Sequence, residues 1–432
     1  MRIPTKILVS VLFLGGCGGP PGQHASDGAP PLTGDTDLAM PSGDLATCAD
    51  TTGIAGRVFA PNGLDPVPKA TVFVPAGAIK DFPAQVSCDL CNDIGAAIAS
   101  TQTGVDGFFQ LTGIPPGKGI PVVIQLGRFR RVVTVDVEPC NIVILPTDAA
   151  VKGTRLPKKN AEFSPHDSVP KIAVATGDYD QIECVLKRMG INQIDLFNDR
   201  GGIETPPTLG ALSTLLGDRN KLLGYNILVV NCTNNEFESL VANPTIRQNL
   251  AAFVGMGGRL YATDWAYDSI EQIPEFAPFM CFVPQNGAAL MCSQPPQQAT
   301  SADTNTSYDV LASIKDPDLA AWLKQFPNVI QNNQVQVDFS FVIINGVATN
   351  QMQYPSTTWV EGKTPMGVKP MTVTFDYNSC GRVHYSTYNT EPNGVVPDNM
   401  RYPNCKPTFS PQERILEYLV FQIAACVGPP LQ

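Results

Sequence analysis

Several polar and aromatic side chains that could bind a ligand follow the predicted strands of the second half of the chain. They are Asp178, Asn231, Asp264, Trp265 and Tyr388. In an open parallel sheet, ligands bind beyond the carboxyl ends of the strands, so these five residues form the candidate ligand-binding site. Carboxylates beside an aromatic ring suit a sugar or a cation. The alternative is that the two aspartates cap loops and helices and that Trp265 packs against neighbouring side chains.

Cys232 also follows a predicted strand and is a weak candidate for a catalytic nucleophile. A nucleophilic thiol needs a neighbouring base, and the sequence does not place any of the three histidines, His24, His166 and His384, where it could serve as one. A disulfide between Cys232 and Cys184, on a helix predicted to flank the same sheet, is favoured. A buried free thiol is the remaining alternative.

No metal or cofactor is expected. Cys88 and Cys91 have a C-x-x-C spacing, but a zinc site needs a second pair of ligands nearby, and a redox pair needs a thioredoxin-like strand–helix–strand context. The sequence has neither feature, so structural disulfides are favoured. Asp264 and Asp268 lack the alternation of oxygen ligands found in a calcium loop.

Strands that alternate with helices predict a flavodoxin-like, doubly wound parallel α/β domain over residues 170–432. Buried strands are predicted at 171–175, 225–230 and 259–263, and the apolar residues between them recur with helical spacing. Such alternation gives a parallel sheet with right-handed crossovers. An insertion that contains Pro- and Gln-rich loops, one helix and a β-rich run is predicted at about residues 270–370.

Short alternating segments separated by turns predict a small antiparallel β-sandwich over residues 48–147. The alternation is clear at 70–74 and 107–111, and turns containing Gly and Pro lie between the segments. The polar stretch 148–169 is the predicted linker. The chain is therefore expected to be multidomain, with the β-sandwich before the α/β domain.

The β-sandwich resembles the carboxypeptidase-regulatory-like, prealbumin-like domain. The resemblance is carried mainly by turn sequences, namely GRV at 56–58, PKATV at 68–72, TGVDGFF at 103–109 and GIPPG at 113–117. It implies an accessory sandwich without catalytic residues.

The α/β domain resembles the class I glutamine amidotransferase-like superfamily, including its trehalose-utilisation-type branch. The matching stretches are GYNILVV at 224–230, GGRLYATD at 257–264 and GRVHYSTYNTE at 381–391. Active members carry the nucleophile in a Gly-x-Cys-x-Gly elbow, followed late in the chain by a His and a Glu. Here Val230 and Asn234 replace the glycines, and Asn389 and Glu391 occupy the late stretch. The resemblance therefore implies the fold without the catalytic triad, since Asn cannot act as a general base.

The N-terminus is typical of an exported chain. Arg2 and Lys6 precede a short apolar segment at 7–14. This segment is too short to span a bilayer and indicates a signal peptide over residues 1–16.

The sequence LGGC at 14–17 resembles a bacterial lipobox, in which the Cys is lipidated and becomes the mature N-terminus. Cys17 is therefore the predicted lipidation site, where acyl chains such as palmitate would anchor the chain to a membrane. The alternative is an ordinary signal peptide with an incidental Cys. Gly18, in place of Asp, implies export to the outer membrane. Residues 17–47 are rich in Gly, Pro, Ser, Asp and Thr and predict a flexible tether.

The net charge argues against nucleic-acid binding, and the number of cysteines is typical of an exported chain with disulfides. The 432-residue chain has a formal net charge of −10, which disfavours nucleic-acid binding because phosphate contacts need clustered Lys and Arg. The one short basic run, 128–131, is predicted to be a solvated strand edge. The chain has 12 cysteines. Those after Cys17 are predicted to form disulfides in an exported chain, including Cys281–Cys292 within the insertion.

Together these features predict an exported lipoprotein, anchored to the cell envelope at the outer membrane. Its expected role is non-catalytic, as a structural, adhesive or ligand-binding protein with a protein or glycan partner. One alternative is a hydrolase or sugar-processing enzyme acting through Asp178, Asp264 or Cys232. Another is a subunit of an envelope or motility complex. An enzyme predicts that Asp178, Asp264 and Trp265 converge on an open cleft, whereas in a binding protein residues of the insertion could fill the rim.

Overall fold

A computed structural model of the chain describes residue 48 and residues 51–89, 94–147, 153–199, 208–233, 238–283, 302–347, 355–390 and 397–427. All of them fall within Leu45–Gln432, which packs as one unit. The predicted signal peptide, Cys17, the tether, Cys91 and Cys292 lie outside the described residues. Among the residues that are described, no helix is long and apolar enough to cross a membrane.

Two small sheets make up the first part of the described chain, referred to below as the β region. Its strands are β1 (Gly53–Arg57), β2 (Thr71–Pro75), β3 (Ala97–Gln102), β4 (Phe108–Thr112), β5 (Gly117–Leu126), β6 (Phe129–Val137) and β7 (Ile142–Ile144). One sheet has the order β4-β1-β7 and the other β3-β2-β5-β6. Pairing is antiparallel except that β7 runs parallel to β1. The expectation of purely antiparallel pairing is therefore wrong at this strand, because the chain crosses from one sheet to the other between β6 and β7 and no hairpin joins β7 to its neighbour.

A nine-stranded mixed sheet forms the α/β domain and confirms the prediction of an α/β protein. Its parallel strands are β8 (Ile172–Ala175), β9 (Ile194–Phe197), β10 (Ile227–Val230), β11 (Arg259–Thr263) and β18 (Gly381–Ser386). Their order in the sheet is β9-β8-β10-β11-β18, and all four adjacent pairs are parallel. Taken along the chain, this is the order 2-1-3-4-5 of a doubly wound sheet, in which the strand order reverses between β8 and β10.

The insertion between β11 and β18 extends this sheet. Its strands are β12 (Met280–Phe282), β13 (Asp303–Ile314), β14 (Gln334–Val342), β15 (Ile344–Val347), β16 (Ser356–Thr364) and β17 (Gly367–Tyr377). Four of them continue the sheet beyond β18 in the order β17-β16-β13-β14, all antiparallel. The last strand, β14, contacts the short 3-10 helix Asp264–Tyr267 that follows β11. The insertion therefore reaches the carboxyl end of the parallel strands.

Helices cover both faces of the parallel strands. They are α1 (Ile182–Arg188), α2 (Leu212–Gly217), α3 (Arg219–Leu222), α4 (Glu238–Val241), α5 (Pro244–Gly255), α6 (Asp268–Glu271), α7 (Pro317–Leu323) and α8 (Pro411–Ala424). Successive strand residues face opposite sides. Tyr261 thus belongs to the cluster that contains α1, α8 and the β region, whereas Leu260 and Ala262 belong to the cluster that contains α2 and α5.

The basic run at 128–131 is internal, which corrects the prediction of a solvated edge. Arg131 is fully buried and forms an ion pair with Asp167, with 2.9 Å between Nη1 and Oδ2. Arg128 donates to the backbone carbonyls of Pro83 and Gln85. Both arginines bond to acceptors within the protein, a carboxylate for Arg131 and backbone carbonyls for Arg128. The run therefore holds neighbouring segments against β6 and is not a surface patch.

Three disulfides are described, and they correct one predicted pair. Cys48 is bonded to Cys140, Cys88 to Cys380 and Cys184 to Cys405. Cys281 and Cys426 are also disulfide-bonded. The predicted Cys184–Cys232 bond is wrong, because Cys184 is paired with the loop that precedes α8 while Cys232 is a buried free thiol. The predicted partner of Cys281, Cys292, lies outside the described residues, so that pair stays a prediction.

Candidate functional site

A small cavity lies at the carboxyl ends of the parallel strands, beside the point where the strand order reverses. Its volume is about 120 Å³, and the described residues that line it are Tyr179, Cys232, Asp264, Trp265, Phe339, Phe341 and Asn389. The loops after β8 and β10 touch here, since the backbone N–H of Tyr179 donates to the carbonyl of Cys232 at 3.3 Å. Ligands of doubly wound sheets bind in this position, so we take this cavity as the candidate site.

Two buried acidic groups form the floor of the cavity. The Cys232 thiol donates to the Asp264 carboxylate, with 3.7 Å between Sγ and Oδ2, and each residue is 1% exposed. Asp264 has a φ of 41°, an unusual backbone conformation for a residue other than Gly. It sits where β11 turns into the 3-10 helix. The turn therefore places the carboxylate beside the thiol at some cost in backbone strain.

The surroundings of Cys232 favour the thiol over the thiolate. Burial raises the pKa of Cys232 well above its ordinary value, and the negative charge of Asp264 raises it further, against a hydrogen bond from the backbone N–H of Trp265 that lowers it. Catalytic cysteines are found in the opposite environment, where nearby positive charge lowers the pKa. Cys232 is therefore a poor nucleophile in this structure.

None of the histidines in the described part of the chain can serve as its base. His384 lies within β18, is fully buried, and interacts with the Thr374 hydroxyl. Burial lowers the pKa of His384 well below its ordinary value. Its ring contacts Tyr261, on the face of the sheet that packs against α1 and α8. His166 lies near Asp81 in the β region. Neither His384 nor His166 lines the cavity, whereas Asn389 does.

Aromatic rings form the sides of the cavity. The rings of Tyr179 and Trp265 meet edge to face, with centroids 5.9 Å apart and an interplanar angle of 75°. Trp265 and Phe341 meet at 6.0 Å and 69°, and Phe341 and Phe339 at 5.0 Å and 83°. All four side chains are partly exposed, so they stand between the buried floor and solvent.

The structure brings two of the five predicted ligand-binding residues, Asp264 and Trp265, to the cavity. The other three make internal contacts, which corrects the expectation that all five converge. Asp178 accepts a hydrogen bond from the Thr233 hydroxyl at 2.9 Å. Asn231 donates to the Glu183 carboxylate on α1 at 2.7 Å. Tyr388 is fully buried and shares a hydrogen bond of 2.8 Å with a hydroxyl of β17, that of Thr372.

A buried carboxylate behind the cavity ties three strand ends together. Asp180 accepts hydrogen bonds from the hydroxyl of Thr263, the last residue of β11, and from the backbone N–H of Thr390 after β18. It also accepts from the backbone N–H of Gln181. Burial raises the pKa of Asp180 to about 6, against these hydrogen bonds, which lower it. Asp180 therefore holds the loop after β8 in register with its neighbours.

Sequence reasoning missed four residues that shape the site. Tyr179 lies beside the predicted Asp178 but is the one of the two that faces the cavity. Phe339 and Phe341 come from β14, far away in sequence, and no local signal links them to the strand ends. Arg401 donates to the carbonyls of Gly177 and Asp178 and so fixes the loop after β8. No group of three or more Cys, His, Asp or Glu side chains within the described ranges could hold a metal ion.

Comparison with known proteins gives only distant likenesses. No family model matches the chain, and no curated protein matches it. Among solved structures, a ThuA-like protein from Parabacteroides merdae is 11% identical over 61% of this chain and 92% of its own, with a TM-score of 0.34. A ThuA-like protein from Bacteroides uniformis is 11% identical over 58% and 90%, with a TM-score of 0.30. A glutamine amidotransferase from Thermotoga maritima is 9% identical over 59% and 98%, with a TM-score of 0.31. Scores this low carry no argument about activity, so the description of the chain as an α/β protein rests on its own strand order.

Proposed function

We propose that this protein is a lipid-anchored binding protein of the bacterial cell envelope whose amidotransferase-like α/β domain does not catalyse hydrolysis. The observation that carries the proposal is the environment of Cys232. The thiol lies at the end of a central strand, but it is buried beside a carboxylate, and Asn389 lines the cavity that a base would need to occupy.

The geometry disfavours covalent catalysis for two independent reasons. A thiolate next to Asp264 would place two negative charges in a buried site, which costs free energy unless a cation balances them. In addition, a general base must come within hydrogen-bond reach of the proton that it removes. The described residues that line the cavity include no histidine, and Asp264, which accepts a hydrogen bond from the thiol, is a far weaker base than the thiolate it would leave. The alternative, a hydrolase or sugar-processing enzyme, would need a different nucleophile.

The β region supports the α/β domain in this proposal. We assign it as a prealbumin-like sandwich, because its two sheets bury residues such as Ile54, Val72 and Phe109 in a common cluster. That cluster also contains residues of α1 and α8, so the β region would stabilise the α/β domain by packing against these helices. The outward surfaces of both regions remain available to a protein or glycan partner, including the other subunits of an envelope complex.

Thiol labelling tests the non-catalytic role. The full-length protein is treated with iodoacetamide at pH 7, with and without denaturant, and each Cys-containing peptide is quantified by mass spectrometry. We expect Cys232 to remain unmodified in the folded protein and to react once the chain unfolds. Rapid modification of Cys232 in the folded state at pH 7 would contradict the proposal, because it would reveal a stabilised thiolate.

A second experiment tests the lipid anchor, which rests on the residues around Cys17. Cells that express the full-length chain are fed an alkyne analogue of palmitate, and the label and the membrane fraction are followed. We expect the wild-type chain to carry label and to sediment with outer membranes, and Cys17→Ser to lose both. A labelled Cys17→Ser chain, or an unlabelled wild-type chain, would rule out lipidation at this residue.

A further inference from the structure

We infer that the cavity is an aromatic cage for a small alkylammonium cation, such as the head group of a quaternary amine. The inference rests on the proposed function, since it assumes that this site binds a ligand and does not catalyse a reaction. It deepens that function by choosing a cation over a sugar.

The arrangement of the rings is the first argument. Tyr179, Trp265, Phe341 and Phe339 form a continuous series in which each ring is steeply inclined to the next, at 75°, 69° and 83°. All four rings line the same cavity, so a group bound there contacts several aromatic side chains. A cation within about 6 Å of an aromatic ring centroid is attracted by the negative face of that ring, and recognition of quaternary ammonium groups uses this interaction.

The charge of the floor is the second argument. The Asp264 carboxylate is 1% exposed, and none of the described residues that line the cavity is a Lys, Arg or His. A buried carboxylate among aromatic rings favours a cation and disfavours an anion.

Size and polarity separate a cation from a sugar. The volume of about 120 Å³ is well above the roughly 10–15 Å³ that a cavity needs to hold one water. A compact group such as trimethylammonium can therefore enter it. A sugar also needs hydrogen bonds to several hydroxyl groups, because unpaired polar groups are costly to bury. Four of the seven described lining residues are aromatic, which suits methyl groups better than hydroxyls.

A β-bulge in β14 supplies the last ring and supports the view that the cage is a built feature. Tyr308 pairs with Ser340 and Val310 pairs with Val337, so two residues of β14, Asp338 and Phe339, oppose one residue of β13. Phe339 has a φ of 61°, a genuine outlier for a bulky side chain. Bulges of this kind redirect a side chain. Here the bulge lies where Phe339 lines the cavity.

The test compares a cation with its neutral isostere. Choline and 3,3-dimethylbutan-1-ol differ in replacing the quaternary nitrogen by carbon, so they have nearly the same shape and differ in charge. Binding to the full-length protein in detergent is measured by calorimetry and by the change in Trp fluorescence, with glucose as the sugar probe. We expect saturable binding of choline and none of the isostere or of glucose. Equal binding of choline and the isostere, binding of glucose alone, or no binding of choline at millimolar concentration would each overturn the cage.

Variants localise the binding. Phe341→Leu keeps apolar volume but removes a ring face, and we expect a loss of affinity for choline of roughly 2- to 30-fold. Asp264→Asn should also weaken choline binding, while Phe108→Leu, an exposed ring of the β region, serves as the matched control and should not. Thermal melting checks that each variant folds, and unchanged choline affinity in a folded Phe341→Leu would overturn the site assignment.

If choline fails to bind while Cys232 stays unreactive, the cage alone is wrong. A reactive Cys232 would instead refute the proposed function.

Discussion

At the scale of single residues, the sign of the charge next to Cys232 determines whether its thiol or its thiolate is favoured. A strand-end thiol becomes a nucleophile when its neighbours stabilise the thiolate. Burial and the Asp264 carboxylate do the reverse, and both raise the pKa of Cys232. The same carboxylate that suppresses the thiolate would attract a cation into the cavity. One residue thus accounts for both the proposed absence of catalysis and the proposed ligand.

Replacing Asp264 by Asn should therefore lower the pKa of Cys232. The negative charge disappears, but burial remains, so the pKa should move towards its ordinary value without reaching it. The measurement is the pH dependence of Cys232 alkylation between pH 7 and 11, followed by mass spectrometry. Asp178→Asn is the control, since the Asp178 carboxylate is held by Thr233. Identical profiles for wild type and Asp264→Asn would show that the charge has no effect on the thiol.

The residues of the site were predictable only in part. Cys232, Asp264 and Trp265 were identified because the carboxyl ends of parallel strands converge, a property of topology that the strand pattern reveals. Asp178 and Tyr179 are adjacent, and only the local backbone decides which of them faces the cavity. Phe339 and Phe341 could not be predicted, because their position depends on how the antiparallel strands β13 and β14 of the insertion fold back and on a bulge that has no sequence signal of its own.

At the scale of elements, the carboxyl ends of β8, β11 and β18 are joined through one buried group. Asp180 lies in the loop after β8 and accepts hydrogen bonds from Thr263, the last residue of β11, and from Thr390 after β18. The short apolar runs in the sequence predicted the parallel strands with nearly correct bounds, because the strands of such a sheet are buried on both faces. They could not predict this connection, which depends on three segments far apart in sequence.

Asp180 should make the stability of the fold depend on pH. Its pKa is about 6 in the folded protein and 3.8 in the reference state, so between these values only the folded chain holds the proton. Stability therefore falls as pH rises from about 4 to 6, by about 3 kcal/mol in total, and Asp180→Asn should remove this part of the decrease. Urea unfolding at pH 4, 5, 6 and 7 measures the difference between the two proteins.

A second variant separates this effect from general destabilisation. Thr263→Val removes a hydroxyl that stabilises the charged form of Asp180, so the pH range over which stability falls should extend upward. A difference between wild type and Asp180→Asn that stays constant from pH 4 to 7 would contradict the assignment.

At the scale of the whole molecule, the β region and the α/β domain share a core and a buried cluster of ionisable side chains. Arg414 on α8 contacts Asp65 of the β region at 2.9 Å and Glu417 at 2.5 Å. Trp322 on α7 donates to the carbonyl of Pro66 at 2.9 Å. The composition of the two halves predicted separate domains, but it could not predict how extensively they would pack.

Glu417→Gln should stabilise the protein at high pH. Burial, and then the charge of Asp65, raise the pKa of Glu417 well above its ordinary value. The folded state therefore holds a proton that the unfolded chain releases above about pH 4.5, and stability is lost as pH rises. Gln keeps the neutral shape without this proton uptake. Urea unfolding should show a gain for Glu417→Gln at pH 8 that shrinks towards pH 4, while Arg414→Met should be destabilising at pH 8. A gain equal at both pH values would refute this account.

The disulfide between Cys88 and Cys380 spans 292 residues, and this has a consequence for how the chain matures. In the export that we propose, the chain crosses a membrane from its N-terminus and presents Cys48 and Cys88 to an oxidant before Cys140 and Cys380. Yet Cys48 forms its bond with Cys140 and not with Cys88. Cys88 pairs with Cys380, which lies in the turn between β17 and β18 and emerges much later. Oxidation in order of emergence would join the wrong thiols, so maturation should require an isomerase that reshuffles bonds by thiol exchange. A cell that can form disulfides but cannot rearrange them should accumulate a mispaired form of this protein.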